Sequence, residues 1–254
     1  MTHEQRTQLW VAGIFLVVIV VITAIAAFVS SHGSPAGTPS FTATQTSAIT
    51  STDHTRGNPD AKVTLIEYGD FECPACGAYE PLVEQLYQQY KGQVLFVFRN
   101  FPLYQIHPFA MIGAQAAEAA NLQGQYWQMH DLLYSKQAQW TADTTLSPAD
   151  VVSKYFNGYA QSLGLNVTQF DTDINSSGVK AKVQADLVLG NAAQIDHTPT
   201  FFINLTQIAN PSSLQDFQSV VDAAIASSTG TAAIPATTST GAAASLQGAT
   251  STAK

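Results

Sequence analysis

The sequence predicts an α/β fold interrupted by an inserted helical domain, and three observations predict it. A strand pattern, a CxxC pair, a helical pattern and a second strand pattern follow one another between Ala61 and Phe98. From His107 to about Asn191 the chain then reads almost wholly helical. A strand pattern returns at Thr200–Ile203, with a last amphipathic helix behind it.

Taken in chain order, the first element is Leu9–Val29, 21 uncharged residues rich in Val, Ile, Leu, Ala and Phe. At about 1.5 Å per residue such a helix crosses a hydrocarbon core of roughly 30 Å. Trp10 suits the interface, Arg6 precedes the run, and no Lys or Arg follows until Arg56. That asymmetry places the N-terminus in the cytoplasm and the domain outside. The expectation is therefore a transmembrane anchor over residues 1–29, in a single-pass protein of the cell membrane with an extracytoplasmic domain. The alternative is a signal peptide cleaved near Ala26, because Ala24-Ile25-Ala26 has small-x-small spacing. The product would then be secreted or periplasmic.

Residues 30–52 contain no Asp, Glu, Lys or Arg, and residues 228–254 carry only Lys254. Neither stretch has the apolar surface to offset the entropy of ordering, so a flexible linker and a disordered tail are expected. Residues 53–227 are left as one domain, long enough to bury a core. They hold 17 acidic against 8 basic residues. An acidic domain with scattered cations is a poor match for nucleic acid, so no such partner is expected.

Within the domain, Ala61–Tyr68 (AKVTLIEY) has the β-branched, apolar character of a buried strand, after an Asn58-Pro59-Asp60 turn. Tyr79–Tyr90 places Leu82, Val83, Leu86 and Tyr90 at helical spacing, and Gly92 marks its end. Val94–Phe98 (VLFVF) is a second buried strand, and the βαβ crossover makes the two strands parallel. The insertion, about 107–191, opens with a helix from Pro108 whose Ala-rich body suits close packing. Further helices are expected from Tyr126, from Pro148 behind Ser147, and over Val167–Ile174 and Val179–Leu189. Ser213–Ala226 closes the domain as an amphipathic helix.

The chain has two cysteines, three positions apart. An exported structural disulfide normally clips distant segments; this one closes almost no loop and contributes little stability. A chemical role is the better reading. With a helix starting near Cys73, its sulfur meets unpaired N–H groups and the positive end of the macrodipole, both of which favour thiolate. Cys76 lies on the same helical face, and Pro74 suits the first helical position. Exchange would proceed by thiolate attack through a mixed disulfide. Zinc binding normally needs two further ligands at ligand spacing, which His107 and His197 do not supply, so no metal is expected. No cofactor is expected either, beyond the redox-active Cys73–Cys76 disulfide.

Glu67-Tyr68-Gly69-Asp70-Phe71-Glu72-Cys73-Pro74-Ala75-Cys76, then Phe101-Pro102-Leu103 with His107, then Thr198-Pro199-Thr200-Phe201-Phe202, resemble the DsbA family over nearly all of residues 58–226. The resemblance implies a thioredoxin fold with an inserted helical domain, closest in layout to membrane-anchored members. It implies a thiol–disulfide oxidoreductase that oxidises thiols of unfolded or reduced exported proteins, itself reoxidised by a DsbB- or VKOR-type membrane partner. It also implies site roles. Pro199 matches the family's cis-proline facing the cysteines, with Thr198 beside the sulfurs; the alternative is a trans proline starting an edge strand. Glu67 matches a buried carboxylate that exchanges protons with Cys76; the alternative is a Glu facing water.

The Pro74-Ala75 dipeptide lacks the histidine of the strongest oxidants in the family, and Asp70 and Glu72 add negative charge that opposes ionisation. A less extreme oxidant is expected. Phe71, Tyr79, Phe101 and Tyr104 either line an apolar groove for substrate or fill cores. Rival functions are a reductase or isomerase on the same fold, and a holdase that binds unfolded chains without exchange.

Overall fold

The sheet is built outward from a strand that the sequence makes apolar on both faces. In the computed structural model, which describes residues 48–229, that strand is β2 (Val63–Gly69), following the short edge strand β1 (His54–Gly57). Leu9–Val29, most of the expected linker and nearly all of the expected tail lie outside the described residues. No helix among the described residues is long and apolar enough to cross a membrane. Helix α1 (Pro74–Tyr90) crosses from β2 to β3 (Val94–Asn100), and the hairpin β4 (Thr200–Ile203) and β5 (Thr206–Ile208) precedes the last helix, α9 (Leu214–Ser228). Strand order is β1-β3-β2-β4-β5, with β2 and β3 parallel and every other pair antiparallel.

Alternation along the strands sets the two faces. Val63 and Leu65 join Val94, Phe96, Phe201 and Ile203 under α1 and α9. Ile66 and Tyr68 join Leu95, Val97 and Phe202 on the other side. Glu67 shares the alternation of Val63 and Leu65 and so turns toward α1. The strand is buried nearly throughout because β3 and β4 flank it and helices cover both faces.

Between β3 and β4 the helices run α2 (Ala110–Asn121), α3 (Tyr126–Ser135), α4 (Gln137–Trp140), α5 (Pro148–Val151), a π-helical turn (Val152–Phe156), α6 (Asn157–Ser162), α7 (Val167–Asp173) and α8 (Ser177–Ala192). The expected α/β fold with a helical insertion is the architecture found. The helix read from Pro108 starts two residues later, after Ala110 N–H bonds the His107 carbonyl. Alanines let α2 pack closely against α3 and α8. At α5, Ser147 and Asp150 form a capping box, each side chain accepting from the other's backbone N–H.

The sequence pattern gives no sign of the edge strands β1 and β5, nor of the ion network that closes the far side of β3. Arg99, fully buried, donates to Asp53 at 2.8 and 2.7 Å, to the Tyr68 hydroxyl and to the Ala48 carbonyl. Residues 48–53 are thereby docked on the sheet. Beside them Asn100 donates to Glu118 and Asp186, which also meet His54 and Lys182. Each charge has a partner, as burial requires.

Candidate active site

Cys73 is the residue at which β2's trailing loop becomes α1. It caps the helix in an extended conformation, with Pro74 at the first helical position, where its missing N–H costs no bond. Pro74 and Ala75 are exposed, while Cys73 is 7% and Cys76 0% exposed. Both are free thiols. The Cys73 thiol donates to the Thr198 carbonyl at 3.4 Å, and Thr198–Pro199 is a cis peptide bond. Asn210 holds the Pro199 carbonyl at 2.8 Å, and the Thr200 hydroxyl holds the His197 carbonyl at 2.7 Å. The structure thus brings Cys73, Cys76, Thr198 and Pro199 to one place from two segments 125 residues apart.

The two thiols are driven in opposite directions. A hydrogen bond from Cys76 is the strongest influence on Cys73; it outweighs burial, and with Thr198 and the N–H groups of Cys76 and Ala75 it lowers Cys73 to about 5. Burial, the same hydrogen bond and the charge of Glu67 push Cys76 well above its ordinary value. Glu67 itself is 4% exposed, and burial raises it to about 8 against the opposing pull of Arg56. Its Oε1 has no hydrogen-bond partner.

Asp70 and Glu72 do not face the sulfurs with their carboxylates. Asp70 Oδ2 meets His107 Nδ1 at 2.6 Å and accepts from Leu103 N–H, and Glu72 accepts from Phe109 N–H. Neither carboxylate ranks among the main influences on Cys73. His107 fastens the loop after β3, and His197 is 55% exposed and pairs with Asp196. Of the four aromatics, Phe71 and Phe101 fill cores. Phe71 packs on Phe98, His130 and Tyr134, and Phe101 meets Tyr68 edge-on. Tyr79 is half-buried with its hydroxyl on the Pro211 carbonyl, which leaves Tyr104 exposed to solvent.

Two residues near Glu67 were not singled out from the sequence. Glu80 lies four residues after Cys76, on the helix side that buries Cys76, Val83 and Leu86, and that spacing was a legible signal. His130 carries none; only the fold brings it to Glu80, 4.0 Å away. Glu80, His130 and Asp131 offer atoms within 4.8 Å of one another. The Arg56 guanidinium lines the same space and opposes a cation there, and we assign no metal to it.

A family model described as Thioredoxin matches residues 49–223. Among curated proteins, the chain is similar to Na(+)/H(+) antiporter NhaA 1 of Salinispora arenicola, at 40% identity over 152 residues, 60% of this chain and 22% of that protein. The chain spans about a quarter of the length of such relatives. Among solved structures it is similar to Wolbachia pipientis alpha-DsbA1, with a TM-score of 0.65 at 21% identity, covering 74% of this chain and 98% of that one. The thiol-disulfide exchange protein alpha-DsbA2 of the same organism gives 0.56 at 18%, covering 67% and 86%. At these identities the likeness to the solved structures is one of fold.

Proposed function

The chain belongs to the thioredoxin family, and from that premise we propose that Cys73 and Cys76 exchange disulfides with thiols of other proteins, acting as a DsbA-like oxidase of exported chains. The observation that carries the reading is the low-lying Cys73 thiol at the N-cap of α1, against the Thr198–Pro199 loop.

In the oxidase direction, a substrate thiolate attacks Cys73 Sγ of the Cys73–Cys76 disulfide. The S–S bond breaks and Cys76 leaves as a thiolate. Its high proton affinity takes the proton of the Glu67 carboxyl, which is still protonated near neutrality. A second substrate thiolate then attacks the substrate's own sulfur in the mixed disulfide. Cys73 leaves as a stable thiolate, and two electrons have passed from the substrate dithiol to the enzyme. Reversal begins with Cys76, which gives its proton back to Glu67 as it attacks. Thr198 and Pro199 position the bound chain beside Cys73.

Donation is the direction we favour because a stabilised Cys73 thiolate favours the reduced form of the pair, which makes its disulfide oxidising. Reoxidation by a membrane partner of the DsbB or VKOR type, and an extracytoplasmic place behind a Leu9–Val29 anchor, complete the proposal. Similarity to a segment of proteins named as Na(+)/H(+) antiporters supports a place at a membrane; ion transport is not carried over, given how little of their length is shared. Cys73→Ser is expected to abolish oxidation of a reduced, unfolded ribonuclease, followed by thiol titration. Retained activity would sink the assignment. A Cys73→Ser/Cys76→Ser protein that still suppressed aggregation and restored a deletion strain would point to a holdase instead.

A further inference from the structure

Cys73 opens α1 without capping it. Helices α5, α7, α8 and α9 start on Ser147, Asn166, Ser176 and Ser213, each with a side-chain oxygen that accepts a first-turn backbone N–H. At Cys73 no such side-chain bond is made, and the first turn carries no acidic residue. The N–H groups of Ala75 and Cys76 are left to the sulfur and help lower Cys73 to about 5. A turn left open in this way lacks the bond that ordinarily holds a helix start in shape.

A side chain of the helical insertion reaches over that turn. From α4, Gln137 Nε2 donates to the Phe71 carbonyl at 2.8 Å and to the Cys73 carbonyl at 2.9 Å. Only the amide's NH2 end can serve two carbonyls, which fixes the orientation of the group. The Cys73 carbonyl also accepts from Gly77 N–H at 3.1 Å, so both of its lone pairs are taken. Gly77 makes the approach possible: a Cβ there would stand 2.5 Å from Gln137 Oε1 and 3.0 Å from Cδ. The other end of the bridge is equally firm. Trp140, at the end of α4, is fully buried, donates from Nε1 to the Leu133 carbonyl at 2.8 Å and meets Phe156 edge-on.

We propose that Gln137 is a positioning residue, bracing Cys73 at the start of α1 and so setting how readily the pair gives up its disulfide. The inference rests on the reading that Cys73 is the exchanging thiol. Two physical effects carry it. The brace engages carbonyls, so it ties the loop to the turn while leaving the first-turn N–H groups to the sulfur; a Ser or Asn at the N-cap would take one of them. The Phe71 and Cys73 carbonyls also place the negative ends of two peptide dipoles on the loop that carries the sulfur, and the amide's N–H groups offset them. Both effects favour the Cys73 thiolate. Because α4 belongs to the insertion and Cys73 to the sheet's own loop, the insertion would act on the chemistry as well as cover it.

The test uses the full chain and follows two quantities: Cys73 alkylation by iodoacetamide across the pH range, and the equilibrium with a glutathione redox buffer at neutral pH. Gln137→Met keeps the length of the side chain and removes both donors. It is expected to raise the alkylation midpoint by roughly one pH unit and to move the equilibrium about tenfold toward the disulfide form. Gly77→Ala displaces Gln137 with its methyl while improving helix propensity. It is expected to give the same two shifts with a urea midpoint at or above the wild type. The double variant is expected to shift no further than either single one. A wild-type midpoint of about 5 that neither substitution moves overturns the brace and leaves the Cys73 reading standing. A wild-type midpoint of about 8.5, that of an ordinary thiol, removes that reading and the brace with it. A lowered urea midpoint in Gln137→Met, with alkylation and equilibrium unchanged, assigns Gln137 to packing and overturns the proposal. Additive shifts in the double variant overturn it too, since the two residues would then act separately.

Discussion

Glu67 is the residue whose chemistry conflicts most with its position. A carboxyl on the central strand is held at about 8, against an ordinary value of 4.5, because burial penalises its charge more than Arg56 offsets it. Since the folded value lies above the unfolded one, folding favours the protonated form. That contribution is complete below about pH 4.5 and is lost as pH rises through about 8. Glu67→Gln cannot ionise and escapes the loss. It is expected to be more stable than the wild type by roughly 5 kcal/mol at pH 9, with the gap closing below pH 5. Urea unfolding across that range checks it, and parallel curves for the two proteins would refute it. The same substitution should slow exchange, so the site would trade stability for proton transfer at a single side chain. Its burial was half legible in the sequence: an apolar strand pattern covered Glu67, but a water-facing Glu stayed the alternative until β4 was seen pairing with β2.

At the scale of elements, α8 lies close against the sheet and the loop that follows β3. Gly190 in α8 faces Phe101 and Tyr68; a Cβ there would stand 2.4 Å from Phe101 Cδ2 and 3.3 Å from Tyr68 Cδ1. Phe101 is 4% exposed and packs edge-on against Tyr68, so its ring would have to shift to admit a methyl. Gly190→Ala improves helix propensity yet is expected to destabilise by about 1–3 kcal/mol through overpacking. A lowered urea midpoint checks it, and a midpoint at or above the wild type would show that α8 can shift. Elements of this kind were the readable part of the fold. β2, α1, β3, β4 and α9 announce themselves because each is long or apolar enough to show its period, and Pro74 and Ser147 mark helix starts. β1 and β5 were not readable, with four and three residues apiece and exposed positions that carry no periodicity. The Arg99 network was not readable either, since its partners come from residues far apart in the chain and share no spacing. His130 joins Glu80 for the same reason, by packing alone.

For the whole molecule, the opposed pulls on Cys73 and Cys76 become a difference in stability between the reduced and oxidised proteins. In the reduced form Cys73 is lowered to about 5, below its unfolded value of about 8.5. A folded value below the unfolded one contributes stability that is full above the unfolded value and lost as pH falls through about 5. The disulfide form has no such group. Closing its very short loop adds a term of its own, but that term does not depend on pH. The stability of the reduced protein minus that of the oxidised protein is therefore expected to rise between about pH 5 and pH 8.5. The slope should approach 1.4 kcal/mol per pH unit at its steepest, on the order set by one proton. Below pH 5 the difference should become flat. Paired guanidinium unfolding of the two forms, with and without reductant, measures it directly. A rising difference that is positive at neutral pH means that reduction stabilises the fold there, and a protein more stable when reduced passes its disulfide to others. A difference that does not change with pH would remove the thermodynamic basis for donation. The cysteines would still exchange disulfides, and the redox partner would have to set the direction.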